Sequence, residues 1–255
     1  TYKQGATNVT AAVVAGTYGE RYAFDNAFRT EIAVAESGYI YESCVKSGTF
    51  LVNWLVERLF NADPKADPGI FKELEAEAKA LPIGSDGIVV VPYWSQVMTP
   101  YWDDDARGLV AGLTSSHKRG HVYRAMLEGL TLEQSMIMDQ MAAATQPIDH
   151  FVAISGGASS DFWCQMLADV SGREVKRLAT VEASSLGAAM AAAKGAGWFP
   201  TIPAAAAAMS GDPVKSFAPD LRAHARYREL AAIYKDLWPM VAEWNRRLAR
   251  FAEAG

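Results

Sequence analysis

An α/β domain with a mixed sheet flanked by helices is the fold class this sequence predicts, and three observations predict it. Val152-Ala153-Ile154-Ser155 runs into Gly156-Gly157 and then into Asp161-Phe162-Trp163-Cys164-Gln165-Met166-Leu167, which reads as strand, glycine turn and helix. Ile88-Val89-Val90-Val91 is a continuous β-branched run, the pattern of a strand buried on both faces. Tyr227, Leu230, Tyr234, Leu237, Val241, Trp244, Leu248 and Phe251 recur at alternating spacings of three and four, one apolar stripe on a long helix. No internal repeat or long polar linker divides the chain, so residues 1–255 are read as one domain.

In chain order, residues 9–15 read as a buried strand that ends in a tight turn at Gly16-Thr17-Tyr18-Gly19, with the next strand starting near Glu20. Gly48 to Phe60 carries a 3.6-period apolar face, with Asn53 and Arg58 off it. Phe71 to Ala80 reads as a short charged helix. Asp86-Gly87 sets a turn before the strand at 88–91, and Pro92 to Gly108 is an aromatic, proline-containing loop. Gly120 to Ala144 is a long helix and Phe151 to Ser155 a strand. Ala183 to Ala196 is a helix of small residues, whose Gly187, Ala188, Ala191 and Ala192 are expected to pack closely on a neighbour. Ile202 to Met209 reads as a connector or short helix, and Pro239 is expected to kink or break the last helix near Asp236 to Trp238.

Composition narrows the function classes. Half of the 255 residues are hydrophobic, enough for a sizeable core, and the formal net charge is −5. The 24 Lys and Arg do not gather into a basic run, which gives no reason to expect nucleic acid. No stretch of about 18 apolar residues and no signal pattern directs the chain to a membrane. Cys44 and Cys164 lie far apart, as in a protein of the reducing cytoplasm with neither zinc site nor disulfide framework. His117 and His121 are spaced i,i+4 but lack an intervening acid and a third ligand, so they read as a helix-surface pair, and no metal ligand is assigned.

The ligand chemistry gathers at Gly156-Gly157. Two residues without a Cβ let backbone approach a flat or charged ligand, and Ser159, Ser160 and Asp161 supply N-cap chemistry to a helix whose N-terminus would favour a phosphate. Gly156-Gly157, Ser160, Trp163, Gln165 and Ala168-Asp169 resemble the second signature of the FGGY carbohydrate kinases, in the branch of the xylulose and glycerol kinases. Pro92-Tyr93, Thr99-Pro100-Tyr101-Trp102-Asp103 and Ala106-Arg107-Gly108-Leu109 resemble a loop and strand in the middle of that family's C-terminal domain. Arg124 to Gly129 resembles its long central helix and Ser185 to Met190 its small-residue helix, so the resemblance runs in order from about residue 13 to the C-terminus.

That resemblance implies an actin-like, ribonuclease H-like ATPase fold and ATP-dependent phosphorylation of a sugar hydroxyl, with Mg2+ and a pentulose such as xylulose as substrate. It implies that Gly16 and Thr17 touch the terminal phosphates, Gly5-Ala6-Thr7 being the alternative for that turn. Gly156, Gly157 and Ser160 match positions that hold adenosine and its α-phosphate, and Gly48 and Asn53 match residues lining the nucleotide pocket before a tryptophan, here Trp54. The family's catalytic aspartate lies upstream of the Gly-Thr turn, so no catalytic residue is assigned in this chain. The chain is expected to be the nucleotide-binding C-terminal half, inactive alone, with the sugar held mainly by an N-terminal half. Oligomeric state is open, a homodimer included. The alternative is a regulatory actin-like domain that binds nucleotide without phosphorylating sugar. A dinucleotide enzyme is disfavoured, since no Gly-x-Gly-x-x-Gly follows a strand.

Three further groups read as structural. Asp103-Asp104-Asp105 is expected to be a solvated turn, Arg124 and Glu128 a helix ion pair, and Trp94, Tyr101 and Trp102 either sugar-stacking residues or fasteners of their loop.

Overall fold

The computed structural model describes residues 4–9, 13–34, 37–154, 156–180 and 182–253. Its first half comprises β1 (Gln4–Val9), β2 (Val13–Gly19), β3 (Arg29–Ile32), β4 (Tyr39–Val45), α1 (Thr49–Trp54), α2 (Ile70–Lys79), β5 (Val89–Val91) and β6 (Leu109–Ala111). Then follow α3 (Arg119–Ala144), β7 (His150–Ile154), α4 (Asp161–Ser171), β8 (Glu174–Leu178), α5 (Ala183–Gly195), α6 (Ile202–Met209), β9 (Pro213–Phe217) and α7 (Leu221–Glu253). Seven strands form one sheet in the order β3-β4-β2-β1-β7-β8-β9, while β5 and β6 pair as a separate ribbon. β1 is antiparallel to β2 and parallel to β7, and β7 is parallel to β8, so the sheet is mixed as expected.

α3 is the central beam. Leu127, Leu130, Leu132, Ile137 and Met138 are all buried, and its Gly129 lets the helix backbone close on β5, where a Cβ would collide with the Val90 carbonyl oxygen. A second, smaller cluster joins Val91, Tyr93, Val97 and Ala106 to Trp238 and Ala242 of α7. Tyr93 packs edge to face with Tyr101 and with Trp238, the Tyr93–Trp238 centroids 4.8 Å apart, and Tyr101 lies tilted against Trp238. Those rings fasten the aromatic loop to the core, and Trp102 adds a 2.9 Å bond from its indole nitrogen to the Asn26 carbonyl.

Several expectations are corrected. Gly16-Thr17 is not a turn. Burial alternates strictly along β2, with Val13, Ala15, Thr17 and Gly19 inward, and Gly16 pairs with Ala6 on one side and Glu42 on the other. A Cβ at Gly16 would stand 2.7 Å from the Tyr41 carbonyl oxygen, so the glycine serves close strand approach. The connection between β1 and β2 falls at residues 10–12, outside the described residues, as does Ser155. The Gly48–Phe60 helix forms as α1 followed by a π-helical stretch, Leu55–Leu59. α5 lies at the surface: only Met190 and Ala193 of it are buried, a Cβ at Gly187 would meet nothing within 4 Å, and Gly187, Ala188 and Ala192 of its small face are exposed rather than packed on a described neighbour.

Pro239 does not break α7, which runs unbroken through it. The lost helix bond, a cost of about 3 kcal/mol, is offset because Tyr234, Trp238 and Ala242, on both sides of the proline, are buried. Residues 202–209 are a true helix, whose Thr201 hydroxyl accepts from Ala204 N at 3.2 Å and whose Pro203 sits in the first turn, where the missing N–H costs nothing. No described helix is long and apolar enough to cross a membrane.

Candidate functional site

A cavity of about 650 Å³ opens between α1, α2 and the N-terminus of α4. That is within the size range of small-molecule sites. Its apolar surface comes from Val52, Pro68, Phe71, Tyr123 and Trp163, and its polar surface from Thr49, Asn53, Lys72, Glu75, Lys79, Gly156, Gly157, Ser159, Ser160 and Asp161. Trp163 is fixed by a 3.0 Å bond from its indole nitrogen to the Thr131 hydroxyl on α3, and burial raises the Tyr123 phenol.

Gly156 and Gly157 lie in a 3-10 turn, Gly156–Ser159, between β7 and α4, closed by Ser159 Oγ donating to the Gly156 carbonyl at 2.6 Å. Ser160 is the N-cap of α4: its hydroxyl accepts from Trp163 N at 3.0 Å and donates to Glu75 Oε1 at 2.6 Å. Asp161 turns to Lys215 (2.6 Å) and Arg177 (2.8 Å), and these partners hold its carboxyl below the ordinary range. Glu75 spans the cavity from α2 to α4 and lies 3.8 Å from Lys79, whose ammonium also sits 5.6 Å from the centre of the Phe162 ring. Lys72 makes no ion pair with a described residue.

Of the seven residues singled out from the sequence, four line this cavity: Asn53, Gly156, Gly157 and Ser160. Gly48 is buried at its edge as the N-cap of α1, its carbonyl accepting from Leu51 N at 2.9 Å, and the next residue, Thr49, does line the cavity. Gly16 and Thr17 do not. Thr17 is only 4% exposed and sits in β2, whose backbone is bonded into the sheet on both sides, so the exposed amides of a phosphate-binding turn are not available there. Gly5-Ala6-Thr7 lies within β1 and is paired too.

Sequence reasoning missed the contribution of α2. Lys72, Glu75 and Lys79 recur at spacings of three and four, which places them on one face beside Phe71. Read alone, that pattern is any charged surface helix; Pro68-Gly69 just before it is the one local hint of a constrained entry.

Other candidates resolve into structure. Asp103 is not solvated: it is 8% exposed, accepts from Asp105 N at 3.0 Å and pairs with Arg246 at 2.7 Å, tying the loop to α7. His121 accepts from Lys118 N at 3.0 Å as part of the α3 cap and lies 3.2 Å from Asp86. Among the described residues no group of three or more His, Cys, Asp and Glu gathers as a metal site. Mg2+ ordinarily relies on one or two carboxylates and the phosphates of its ligand rather than on such a cage. Chemically, apolar walls, a glycine turn and rim ammonium groups suit a flat heterocycle carrying an anionic tail.

Residues 9–196 match the model of the FGGY family of carbohydrate kinases, C-terminal domain. A xylulose kinase of Bacillus subtilis is 32% identical over 181 residues, 71% of this chain and 36% of that protein. A glycerol kinase of Limosilactobacillus reuteri is 33% identical over 172 residues, 66% of this chain and 33% of the relative. The crystal structure of a xylulose kinase from Rhodospirillum rubrum superposes with a TM-score of 0.83 at 26% identity, covering 95% of this chain and 48% of the other. The chain thus spans about a third of the length of these sequence relatives and just under half of that structure.

Proposed function

This chain belongs to the FGGY family of carbohydrate kinases, and we propose that it supplies the nucleotide-binding wall of an ATP-dependent sugar kinase. Its fold is the actin-like ATPase fold of its structural neighbours. The observation that carries the proposal is the cavity itself, where Asn53, Gly156, Gly157 and Ser160 meet across from α2. The apolar patch of Val52, Phe71, Tyr123 and Trp163 takes the base, the Gly156-Gly157 turn lets the nucleotide approach the backbone, and Lys72 and Lys79 attract the phosphates. Ser160 orients the nearest phosphate by exchanging its bond to Glu75 for one to the ligand.

In the reaction a sugar hydroxyl oxygen bonds to the γ-phosphorus as the bond to the ADP oxygen breaks, and positioning and charge stabilisation dominate. This chain contributes the positioning; the base and most sugar contacts belong to an N-terminal half. Mg2+ travels on the nucleotide and neutralises phosphate charge. The substrate is a pentulose such as xylulose, in keeping with the xylulose kinases among the relatives, and the reaction is cytoplasmic. Gly16 and Thr17 receive no role in this scheme.

Calorimetric titration of the chain with magnesium-ATP tests the reading. The expected result is measurable binding, weakened at least about tenfold by Gly157→Asp, which sets an unpaired carboxylate in the cavity wall against the phosphates. The chain alone is expected to release no ADP in response to sugar, because a one-sided site cannot exclude water. Binding that survives Gly157→Asp, in a variant with an unchanged melting temperature, would move the nucleotide elsewhere.

A further inference from the structure

Glu75 runs against the chemistry of the cavity around it. A wall that takes phosphates carries a carboxylate there, its side chain 19% exposed, reaching from α2 to the N-cap of α4. Asp161 also lines the cavity, but its cations, Lys215 and Arg177, stand outside the lining residues and draw it away. Glu75 instead takes its partners from the cavity wall. Ser160 Oγ donates to its Oε1 at 2.6 Å, the length of a charge-assisted bond, and Lys79 Nζ stands 3.8 Å from its Oε2.

The donors that Glu75 engages are therefore the hydroxyl and the ammonium that the nucleotide reading gives to the phosphates. Ser160 has one hydroxyl hydrogen, so a phosphate oxygen that accepts it must displace Glu75 Oε1. The displaced carboxylate has little room to retreat, since Lys72 and Lys79 lie three residues before it and four after it on the same face of α2. Its repulsion scales with the charge of whatever enters. A bare triphosphate meets most of it, a magnesium complex meets less because the metal cancels part of the phosphate charge, and an uncharged nucleoside meets none.

Resting on the nucleotide reading above, we propose that Glu75 is a specificity-determining residue of this site. Its carboxylate competes with the ligand's phosphates for Ser160 and Lys79, and so admits the magnesium nucleotide in preference to the metal-free anion.

Calorimetric titration of the parent chain, Glu75→Gln and Glu75→Ala with adenosine, metal-free ATP and magnesium-ATP tests it. Glu75→Gln removes the charge and leaves an oxygen for Ser160. It is expected to tighten metal-free ATP at least about tenfold and magnesium-ATP about threefold, and to leave adenosine within about twofold. Glu75→Ala also frees the Ser160 hydroxyl and is expected to gain about threefold more for both nucleotides. A general change in the shape of the cavity would move all three ligands together, so the order of the gains is the deciding readout. Gains that do not grow with ligand charge, or no gain in either variant, overturn the proposal and leave the nucleotide reading standing. Weaker adenosine binding in both variants overturns it too, by seating the base on Glu75. No binding of any of the three ligands by parent or variants overturns this proposal and the nucleotide reading with it.

Discussion

Replacing Glu128 with leucine is expected to lower the stability of the chain by about 3–5 kcal/mol, the cost of leaving a buried charge without its partner. Arg124 and Glu128 are 6% and 2% exposed, and Arg124 Nε donates to Glu128 Oε1 at 2.8 Å. Glu128 also accepts from Gly84 N at 3.1 Å, from Ser85 Oγ at 2.9 Å and from the Tyr227 hydroxyl at 3.2 Å. Arg124 donates in turn to the Ala78 and Leu81 carbonyls at 2.9 and 3.1 Å, satisfying the C-terminal end of α2. One pair thus joins α2, the turn after it, α3 and α7. Urea unfolding of Glu128→Leu, of Arg124→Met and of the double variant separates the terms. The double variant is expected to cost less than the sum of the singles by about 2 kcal/mol, since removing both charges leaves neither stranded. A single-variant loss below about 1 kcal/mol would mean that water reaches the pair. Because α2 is a wall of the candidate nucleotide cavity, the singles are also expected to weaken magnesium-ATP binding.

That network marks the division between what residues declare locally and what only the fold reveals. Arg124 and Glu128 are visible in the sequence as an i,i+4 pair, but their burial depends on Tyr227, about a hundred positions away, and on the 84–85 turn. The Gly156-Gly157 turn and the Ser160 cap were legible because strand, glycine turn and N-cap are each set by neighbours within a few residues. Lys72, Glu75 and Lys79 were not, because nothing in a charged helix says which face meets a glycine turn some eighty residues later. Gly16-Thr17 reads locally as a turn and folds as strand for a related reason. Glycine permits a turn and also permits two strands to close, and the choice rests on Tyr41 of β4. The break at Pro239 does not occur because propensity counts a lost bond, whereas packing holds the helix from both sides.

Stability is expected to fall by roughly 3 kcal/mol in all as pH rises from about 4.5 to about 7, through one carboxyl group. Glu133 is 2% exposed on α3 and accepts from the Tyr93 hydroxyl at 2.8 Å and the Tyr234 hydroxyl at 2.9 Å. Burial pushes its carboxyl up from 4.5 to about 7, and the two phenol donors only partly oppose the shift. The same burial and the Glu133 charge raise both phenols, and Tyr101 beside them reaches about 12. The sign follows from proton counting. Between the two values the unfolded chain has released the Glu133 proton and the folded chain still holds it, so the folded state loses ground with each unit of pH. Below that window the group is protonated in both states, and above it both are charged and the loss is complete. Glu133→Gln keeps an acceptor for one phenol and cannot ionise. The difference in unfolding free energy between the parent chain and Glu133→Gln, measured at steps of pH, is therefore expected to shift steadily in favour of the variant across the window and to level off above about pH 7. A difference that stays flat would show that Glu133 is ionised in the folded chain at ordinary carboxylate pH, with water or a cation beside it. The group matters beyond stability because Tyr93 and Tyr234, both bonded to it, help to bind the aromatic loop and α7 to the central helix.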